Sequence, residues 1–488
     1  MDQKNHKFER APITGKKLGL IIGPALFALI LFAPPPADLS PQAWQVAALA
    51  ALMAVWWASE ALPVAVTALL PLAVLPLMGG IPIRTAAAPY ANPLIFLFMG
   101  GFLIALAMQR WHLHRRLALR IIHVVGNHPQ ALVIGFMVAS AFLSMWVSNT
   151  ATTMMMLPIA LSVAGVVAPD DSRPARHFSI CLMLGIAYAA SIGGLGTLVG
   201  TAPNALLAAF MVETYNVDIG FARWMMLGVP AVVVMLPCAW FVLTRLAYRF
   251  DLAPSAEAGA LVDRELSAMG AMGPAERRVA GIFLLVALAW VTRPLLMALP
   301  GLSGLNDSTI AILGGLALFV VPAGGGEKGA LMTWEVAERL PWGLLLLFGG
   351  GLSLADAMAS SGLAAWIGGA LGGFSAWPLI GIAGLTVLVV IFLTELTSNT
   401  ATTAALLPVL GAVATAMHQP PLGLVAPAAL AASCAFMLPV ATPPNAIVFG
   451  SGLVTIPQMM RAGLLLNILG VFVITALASV LIPWVFGG

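Results

Sequence analysis

The fold is decided by the segment FLSMWVSNTATT, residues 142–153, and by a second copy of it, FLTELTSNTATT, residues 392–403. The same offset of 250 residues relates 98–108 to 348–358, where both copies contain a Gly-Gly pair in an apolar run. An offset of 241 residues relates TAPNA, 201–205, to TPPNA, 442–446. Six identical residues with matching flanks are not a chance agreement, so the chain contains an internal repeat.

The composition is that of a membrane protein. Of the 488 residues, 61% are hydrophobic and 8% are charged, whereas about a quarter of an ordinary soluble domain is charged. Apolar runs close to the roughly 20 residues that a bilayer requires recur along the chain. We therefore predict an all-α polytopic membrane protein with about eleven transmembrane helices, at 18–33, 42–60, 63–80, 94–118, 178–212, 224–249, 279–298, 308–322, 342–370, 427–455 and 462–485.

Two further apolar segments, 131–168 and 379–416, each carry a polar interruption at the centre. We predict that both are re-entrant hairpins, which return to the side they came from. With a cytoplasmic N-terminus, this topology leaves only Arg84, Arg223 and Arg293 of the 22 basic residues outside. That distribution obeys the positive-inside rule and indicates a multi-pass protein of a bacterial inner membrane. The basic, amphipathic stretch 111–122 is expected to lie along the cytoplasmic interface.

The orientation of the two copies follows from the number of crossings between them. Five crossings separate their starts, and because five is odd, the copies face opposite ways. Inverted-topology repeats are typical of secondary transporters, since exchanging the conformations of two similar halves converts an outward-open state into an inward-open one. The sequence therefore predicts a secondary transporter.

Each copy supplies two polar interruptions. The first is Ser-Asn-Thr, at 148–150 and 398–400, and the second is a break rich in Gly or Pro, at 193–204 and 439–445. Ser, Asn and Thr are good N-caps, so each hairpin tip should start a helix whose free N–H groups and positive dipole end suit a carboxylate. The breaks free backbone carbonyls, which are tolerated at membrane depth only in a cavity wall or inside protein. For any one of these residues, back-bonding or a simple helix kink is the alternative.

The hairpins and broken helices contain no Arg or Lys. An anionic substrate there would be balanced by helix dipoles and co-bound cations, which favours cation-coupled uptake. A cationic substrate is the rival, and it would depend on Glu395, whose partner in the first copy is Met145. A structural role, with backbone or hydroxyl groups capping the carboxylate, is the other interpretation of Glu395. Asp356 is a similar case, and Glu60 is expected at the membrane interface.

The paired SNTATT segments, with TAPN and ATPPN after them, resemble the divalent anion:sodium symporter family, which includes bacterial dicarboxylate transporters and animal citrate carriers. The resemblance covers nearly the whole chain. It implies a homodimer in which a mobile transport domain works as an elevator against a scaffold domain. It also implies import of small divalent anions, such as the C4-dicarboxylates succinate, malate and fumarate, with Na⁺ as the coupling ion and no organic cofactor.

The family motifs also imply the binding residues. A first Na⁺ site would use Ser144, Ser148, Asn149 and the carbonyl of Gly200. A second would use Thr394, Thr397, Asn399 and the carbonyl of Ala441. The substrate carboxylates would lie between the two tips, near Asn149, Thr150, Asn399, Thr400, Thr201, Thr442 and Pro443.

The repeat and the resemblance together divide the chain into eight segments. The first half comprises a cytoplasmic N-terminal segment (1–17), scaffold helices with an interface helix (18–130), a transport-domain hairpin with a broken helix (131–212) and a last helix (213–250). A cytoplasmic linker (251–278) joins it to the second half. That half comprises scaffold helices (279–378), a second transport-domain hairpin with a broken helix (379–455) and a last helix (456–488).

Other classes of function are less consistent with the sequence. The motifs leave open a dicarboxylate/2-oxoglutarate exchanger without Na⁺ drive, and a related ion exchanger or metalloid permease. An enzyme is not expected, because the seven histidines fall in predicted loops or interface segments and no H-E-x-x-H or G-x-S-x-G motif occurs. A channel is disfavoured by the hairpin repeat and the lack of a charged ring. Neither a nucleic-acid partner nor a metal site at Cys181, Cys238 or Cys434 is indicated.

Overall fold

A computed structural model of the protein describes residues 13–78, 80–370 and 377–487. Most of the predicted cytoplasmic N-terminal segment, 1–17, lies outside these ranges. Within them the regular structure is helical apart from one antiparallel hairpin, β1 (Pro322–Gly324) and β2 (Glu327–Ala330). The predicted all-α class is confirmed.

The first half of the chain forms a series of helices in which two short elements, a 3₁₀ turn (Ala88–Ala91) and a π-helical segment (Val242–Ala247), also occur. The helices are α1 (Ile13–Phe32), α2 (Pro41–Ser59), α3 (Val64–Thr67), α4 (Leu70–Leu77), α5 (Ile83–Ala87), α6 (Pro93–Arg110), α7 (Leu113–Val125), α8 (Pro129–Ser144), α9 (Asn149–Val167), α10 (Arg173–Gly194), α11 (Ala202–Tyr215) and α12 (Phe221–Phe241).

The linker and the second half continue the series. They form α13 (Ala256–Ala268), α14 (Pro274–Met297), α15 (Asp307–Val320), α16 (Trp334–Ala337), α17 (Trp342–Ser360), α18 (Leu363–Ala370), α19 (Leu379–Thr394), α20 (Asn399–Ala416), α21 (Leu422–Ala432), α22 (Pro443–Phe449) and α23 (Ile456–Phe486).

Nine helical stretches among the described residues are long and apolar enough to cross a membrane, and five further apolar helices are shorter. Several of them expose large aliphatic side chains, as a helix in contact with lipid does. In α14, for example, Leu285 and Leu295 are 69% and 73% exposed. The chain is therefore a polytopic membrane protein.

The helix limits follow the sequence repeat. α8 and α19 begin and end 250 residues apart, and α9 and α20 begin at the two Asn residues of the Ser-Asn-Thr motif. α11 and α22 begin 241 residues apart, just after the two non-helical segments at 195–201 and 433–442. Each copy thus folds as a helical hairpin followed by a broken helix.

The two hairpins enter the helical body from opposite ends. At the base of α8–α9, Gln130 accepts a hydrogen bond from the π-helical segment after α12, and the adjoining Tyr248 hydroxyl donates to the carbonyl of Gln458 at the start of α23 (2.7 Å). At the base of α19–α20, Leu379 lines the same pocket as Phe486 at the other end of α23. A helix of 31 residues is about 46 Å long, so the two bases are far apart.

Apart from the two predicted broken helices, three predicted crossings are divided in the structure. The predictions of single crossings at 94–118 and 342–370 are wrong, because the chain turns through a left-handed residue in each, His112 (φ 58°) and Gly362 (φ 84°). α7 and α18 are consequently separate helices, and α7 occupies the stretch expected at the interface. The apolar run 63–80 is split into α3 and α4.

The linker between the two halves is held by ion pairs. Arg116 of α7 and Glu276 of α14 form a buried pair (Nε–Oε1 2.5 Å, Nη2–Oε2 3.0 Å), and Arg116 also donates to the carbonyl of Gly270 (2.8 Å). Arg115 pairs with Glu265 of α13 (2.5 Å). A buried pair with its remaining donors satisfied fixes geometry more than it adds stability. These contacts fix the linker against α7.

Candidate functional site

A cavity of about 500 Å³ lies between the two hairpin tips. Four helices begin at its wall, α9 and α20 from the hairpins and α11 and α22 from the broken helices. Their N-cap residues, Ser148, Ser398, Thr201 and Thr442, all line it. A helix N-terminus carries unpaired N–H groups and a positive partial charge. The cavity is therefore suited to an anion.

Most of the residues predicted to bind ligands meet in this wall. Those that line the cavity are Ser148, Asn149, Thr150, Gly200, Thr201, Asn399, Thr400, Ala441, Thr442 and Pro443. Ser144, Thr394 and Thr397 do not line it. Among the described lining residues there is no Arg, Lys or His, and the one ionisable side chain is Glu60.

The first tip places several oxygen atoms close together. The hydroxyl of Ser144, at the end of α8, lies 2.5 Å from Asn149 Oδ1, at the start of α9. A Cβ atom added to Gly194 would lie 3.0 Å from that same Oδ1 and 3.2 Å from the carbonyl oxygen of Gly200. Because Gly194 has no side chain, the side-chain oxygen of Asn149 and the carbonyl oxygen of Gly200 can both point into the space beside it. Neutral oxygen atoms of this kind are ligands that hard cations accept.

The second tip repeats this arrangement in part. Thr394 Oγ1 lies 2.6 Å from Asn399 Oδ1 and 3.0 Å from the carbonyl of Ala432. Ala441, the counterpart of Gly200, lines the cavity. The hydroxyl of Thr397 is instead engaged by a carbonyl of α19 (3.0 Å) and a hydroxyl of α20 (2.6 Å). The structure thus brings together Thr394, Asn399 and Ala441, and it turns the Thr397 hydroxyl into the hairpin.

The two breaks are held open by a pair of buried asparagines. Asn204 of α11 donates from Nδ2 to the carbonyls of Gly194 and Thr197 (3.0 and 2.8 Å). Asn445 of α22 makes the corresponding contacts to the carbonyls at 435 and 438 (3.2 and 3.0 Å). The predicted binding residues do not include them, although their repetition in T-x-P-N is a usable signal. They shape the loops and do not line the cavity.

Glu395 stabilises the second tip. It is 3% exposed, and its carboxylate accepts hydrogen bonds from three successive backbone N–H groups, 436–438 (2.6, 2.9 and 3.1 Å), and from Asn467 Nδ2 (2.8 Å). In the first copy the corresponding residue is Met145, whose carbonyl accepts from Thr197. These contacts favour the structural interpretation of Glu395, which does not line the cavity.

Glu60, which is expected at the membrane interface, also contributes to the cavity wall, and it follows α2 directly. Its backbone is left-handed (φ 47°, ψ 39°), and Lys16 Nζ lies 3.8 Å from its carboxylate. Phe102 of α6 and Leu344 of α17 line the same cavity. Asp356 is not part of the wall.

Oppositely directed hairpins, paired broken helices and a cavity where four helices begin define a polytopic secondary transporter. The family described as the sodium:sulfate symporter transmembrane region matches residues 15–487, and the chain belongs to it. This confirms the resemblance to divalent anion:sodium symporters.

Relatives are similar over almost the whole chain. The sodium-dependent dicarboxylate transporter SdcS of Staphylococcus saprophyticus is 43% identical over 493 residues, covering 99% of this chain and 94% of that protein. SdcS of Staphylococcus aureus (strain MRSA252) is 43% identical over 481 residues, covering 97% and 92%.

Two solved structures share the fold. They are the YdaH transporter of Alcanivorax borkumensis (TM-score 0.59, 15% identity, 97% of this chain and 98% of that one) and MtrF of Neisseria gonorrhoeae (0.57, 12%, 97% and 95%). At these identities the likeness extends to the fold alone.

Proposed function

We propose that the chain imports small divalent anions, C4-dicarboxylates such as succinate, malate or fumarate, together with Na⁺ across a bacterial inner membrane. The observation that carries this proposal is the meeting of four helix N-termini at one cavity whose described lining has no Arg, Lys or His. The relatives named sodium-dependent dicarboxylate transporters support both the ion and the substrate class.

The number of N-termini suits a dianion. The N-terminus of a helix of several turns is equivalent to about half a positive charge, so those of α9, α11 and α20 offset much of the two negative charges of a dicarboxylate. α22 adds less, because it has seven residues and begins with two prolines, which have no N–H. The tips present the same groups, Asn149 with Thr150 and Asn399 with Thr400, one pair for each carboxylate. Thr201, Thr442 and Pro443 complete the wall between them.

The coupling to Na⁺ would follow from the position of the two asparagines, each of which belongs both to a proposed cation site and to the proposed substrate site. The side-chain oxygen of Asn149 lies 2.5 Å from the hydroxyl of Ser144, which does not line the cavity, whereas the backbone of Asn149 begins α9 at the cavity wall. A cation held by Ser144, Ser148, Asn149 and the Gly200 carbonyl would therefore fix the N-terminus that receives a carboxylate. Asn399 has the same role in the second tip, with Thr394, Thr397 and the Ala441 carbonyl as the other ligands.

Transport would proceed as an elevator in a homodimer. The hairpins and broken helices supply most of the cavity lining, and Glu60 after α2, Phe102 of α6 and Leu344 of α17 supply another part. We assign the first group to the mobile domain, segments 131–212 and 379–455, and the second to the scaffold, segments 18–130 and 279–378. With a cytoplasmic N-terminus, the cavity beside Lys16 and Glu60 faces the cytoplasm.

The test is uptake of radiolabelled succinate into proteoliposomes, with an inward Na⁺ gradient and a K⁺ control. Accumulation driven by Na⁺ is expected, and uptake only into vesicles preloaded with dicarboxylate would show an exchanger. If succinate is taken up in neither assay, the proposed substrate class is wrong. Asn149→Ala and Asn399→Ala should each abolish uptake in a folded dimer, whereas Asn127→Ala, an exposed asparagine at the hairpin base, should not. Full activity in both tip variants would refute the site.

A further inference from the structure

One carboxylate in the cavity wall has a charge of the wrong sign for binding an anion. Among the described lining residues, Glu60 is the single ionisable side chain, and it lies outside the hairpins and broken helices that supply the helix N-termini. Its side chain is 54% exposed, and its pair with Lys16, at 3.8 Å and with both partners more than half exposed, is the kind that contributes little. Because such a pair is held only weakly, Lys16 offsets the negative charge of the carboxylate only in part.

The backbone at Glu60 is also unusual. The position after a helix end is one that Gly or Asn normally occupies when the chain turns left-handed. A glutamate in that conformation (φ 47°, ψ 39°) is held there at some energetic cost, and such residues concentrate at functional sites. The conformation ends α2 and directs residue 60 to the cavity wall.

We propose that Glu60 is a release-promoting charge, which weakens the binding of a dianionic substrate in this conformation and lowers its affinity on the side that the cavity faces. The inference rests on the proposed function. Because Glu60 lies on the proposed scaffold, its charge stays in place while the tips move. A substrate bound to the tips would meet it only when the transport domain has reached this position, so repulsion would act at release and not at capture.

The size of the effect follows from the dimensions of the cavity. A sphere of about 500 Å³ is about 10 Å across, which bounds the separation between Glu60 and a dianion held at the tips. At that distance in water, the repulsion weakens dianion binding about threefold at low ionic strength. At an ionic strength of about 1 M the Debye length is about 3 Å, and the effect should vanish.

A matched pair of variants isolates the charge. Asp and Asn both tolerate the left-handed conformation, and they have the same shape, so Glu60→Asp and Glu60→Asn differ in charge alone. Succinate dissociation constants would be measured on the purified full-length protein at constant Na⁺, with choline chloride raising the ionic strength. We expect the Asn variant to bind succinate about threefold more tightly than the Asp variant at low salt, with the ratio approaching one at about 1 M. In proteoliposomes, the Asn variant should release preloaded succinate more slowly.

The outcomes separate this inference from the proposed function. Equal dissociation constants at low salt would overturn it, and so would a ratio that persists unchanged at high salt, since a steric effect is not screened. Lys16→Gln offers a second measurement, because removing the nearby cation should weaken succinate binding. If wild-type protein neither binds nor transports succinate, the proposed function itself fails, whatever the Glu60 variants do.

Discussion

Gly194→Ala tests the first cation site with a single methyl group. The backbone at Gly194 is not left-handed, so alanine is compatible with it. The added Cβ would lie 3.0 Å from Asn149 Oδ1 and 3.2 Å from the Gly200 carbonyl oxygen. Both contacts are tighter than ordinary van der Waals distance, so the two oxygens must move apart by a few tenths of an ångström. Overpacking of this kind costs about 1–3 kcal/mol.

That cost falls on the atoms proposed to bind Na⁺. If the cation-bound state bears it, the Na⁺ concentration for half-maximal succinate uptake should rise about 5- to 150-fold. The measurement is the Na⁺ dependence of uptake at saturating succinate in proteoliposomes. Gly281→Ala is the matched control, because its Cβ would meet nothing within 4 Å and alanine favours a helix interior. An unchanged Na⁺ requirement in a fully active Gly194→Ala protein would refute the placement of the site.

Two further substitutions test contacts that stabilise the second tip and the loop before α12. Glu395→Gln should lower the melting temperature of the purified protein, because one carboxylate oxygen is replaced by an NH₂ donor that faces a backbone N–H. An unsatisfied buried donor costs about 1–3 kcal/mol. Lost Na⁺ coupling at an unchanged melting temperature would instead place Glu395 in the binding site. Arg293, on the proposed scaffold, contacts Asp218, on the loop before α12, and Asp307 (3.0 and 3.2 Å). Arg293→Ala should lower the melting temperature of the purified protein, because it leaves the buried carboxylate of Asp307, which is 5% exposed, without its cation, and breaking a buried ion pair costs about 3–5 kcal/mol. An unchanged melting temperature would show that this contact does not stabilise the fold.

The repeat accounts for most of what the sequence predicts correctly. Helix starts are readable where a capping residue and a repeat motif coincide, and for this reason α9 and α20 begin at the predicted Ser-Asn-Thr segments. The breaks after α10 and α21 are predictable from their Gly and Pro content. The same pattern identifies most of the residues around the cavity, because each polar interruption stands out in an apolar run.

Other features were missed or do not show in the pattern. The turns that separate α6 from α7 and α17 from α18 depend on a left-handed residue. Polar residues mark both places, at 109–116 and 360–362, but the predicted crossings run through them. The Thr397 hydroxyl is expected among ligands, but neighbouring carbonyl and hydroxyl groups within the hairpin compete for it. The place of Glu60 cannot be predicted from sequence, because its contact with the cavity depends on how α2 packs against distant elements.

The symmetric and asymmetric parts of the site have different consequences. Inward- and outward-facing states of an inverted repeat exchange the roles of the two halves, so groups that occur in both copies, such as the two tips, act alike in both states. Repeat symmetry alone therefore gives no reason for a substrate to bind more tightly on one side. Glu60 breaks that equality, because it is the single ionisable side chain among the described residues that line the cavity. A charge on one side of a symmetric frame biases release to that side, while the direction of net flux still comes from the Na⁺ gradient.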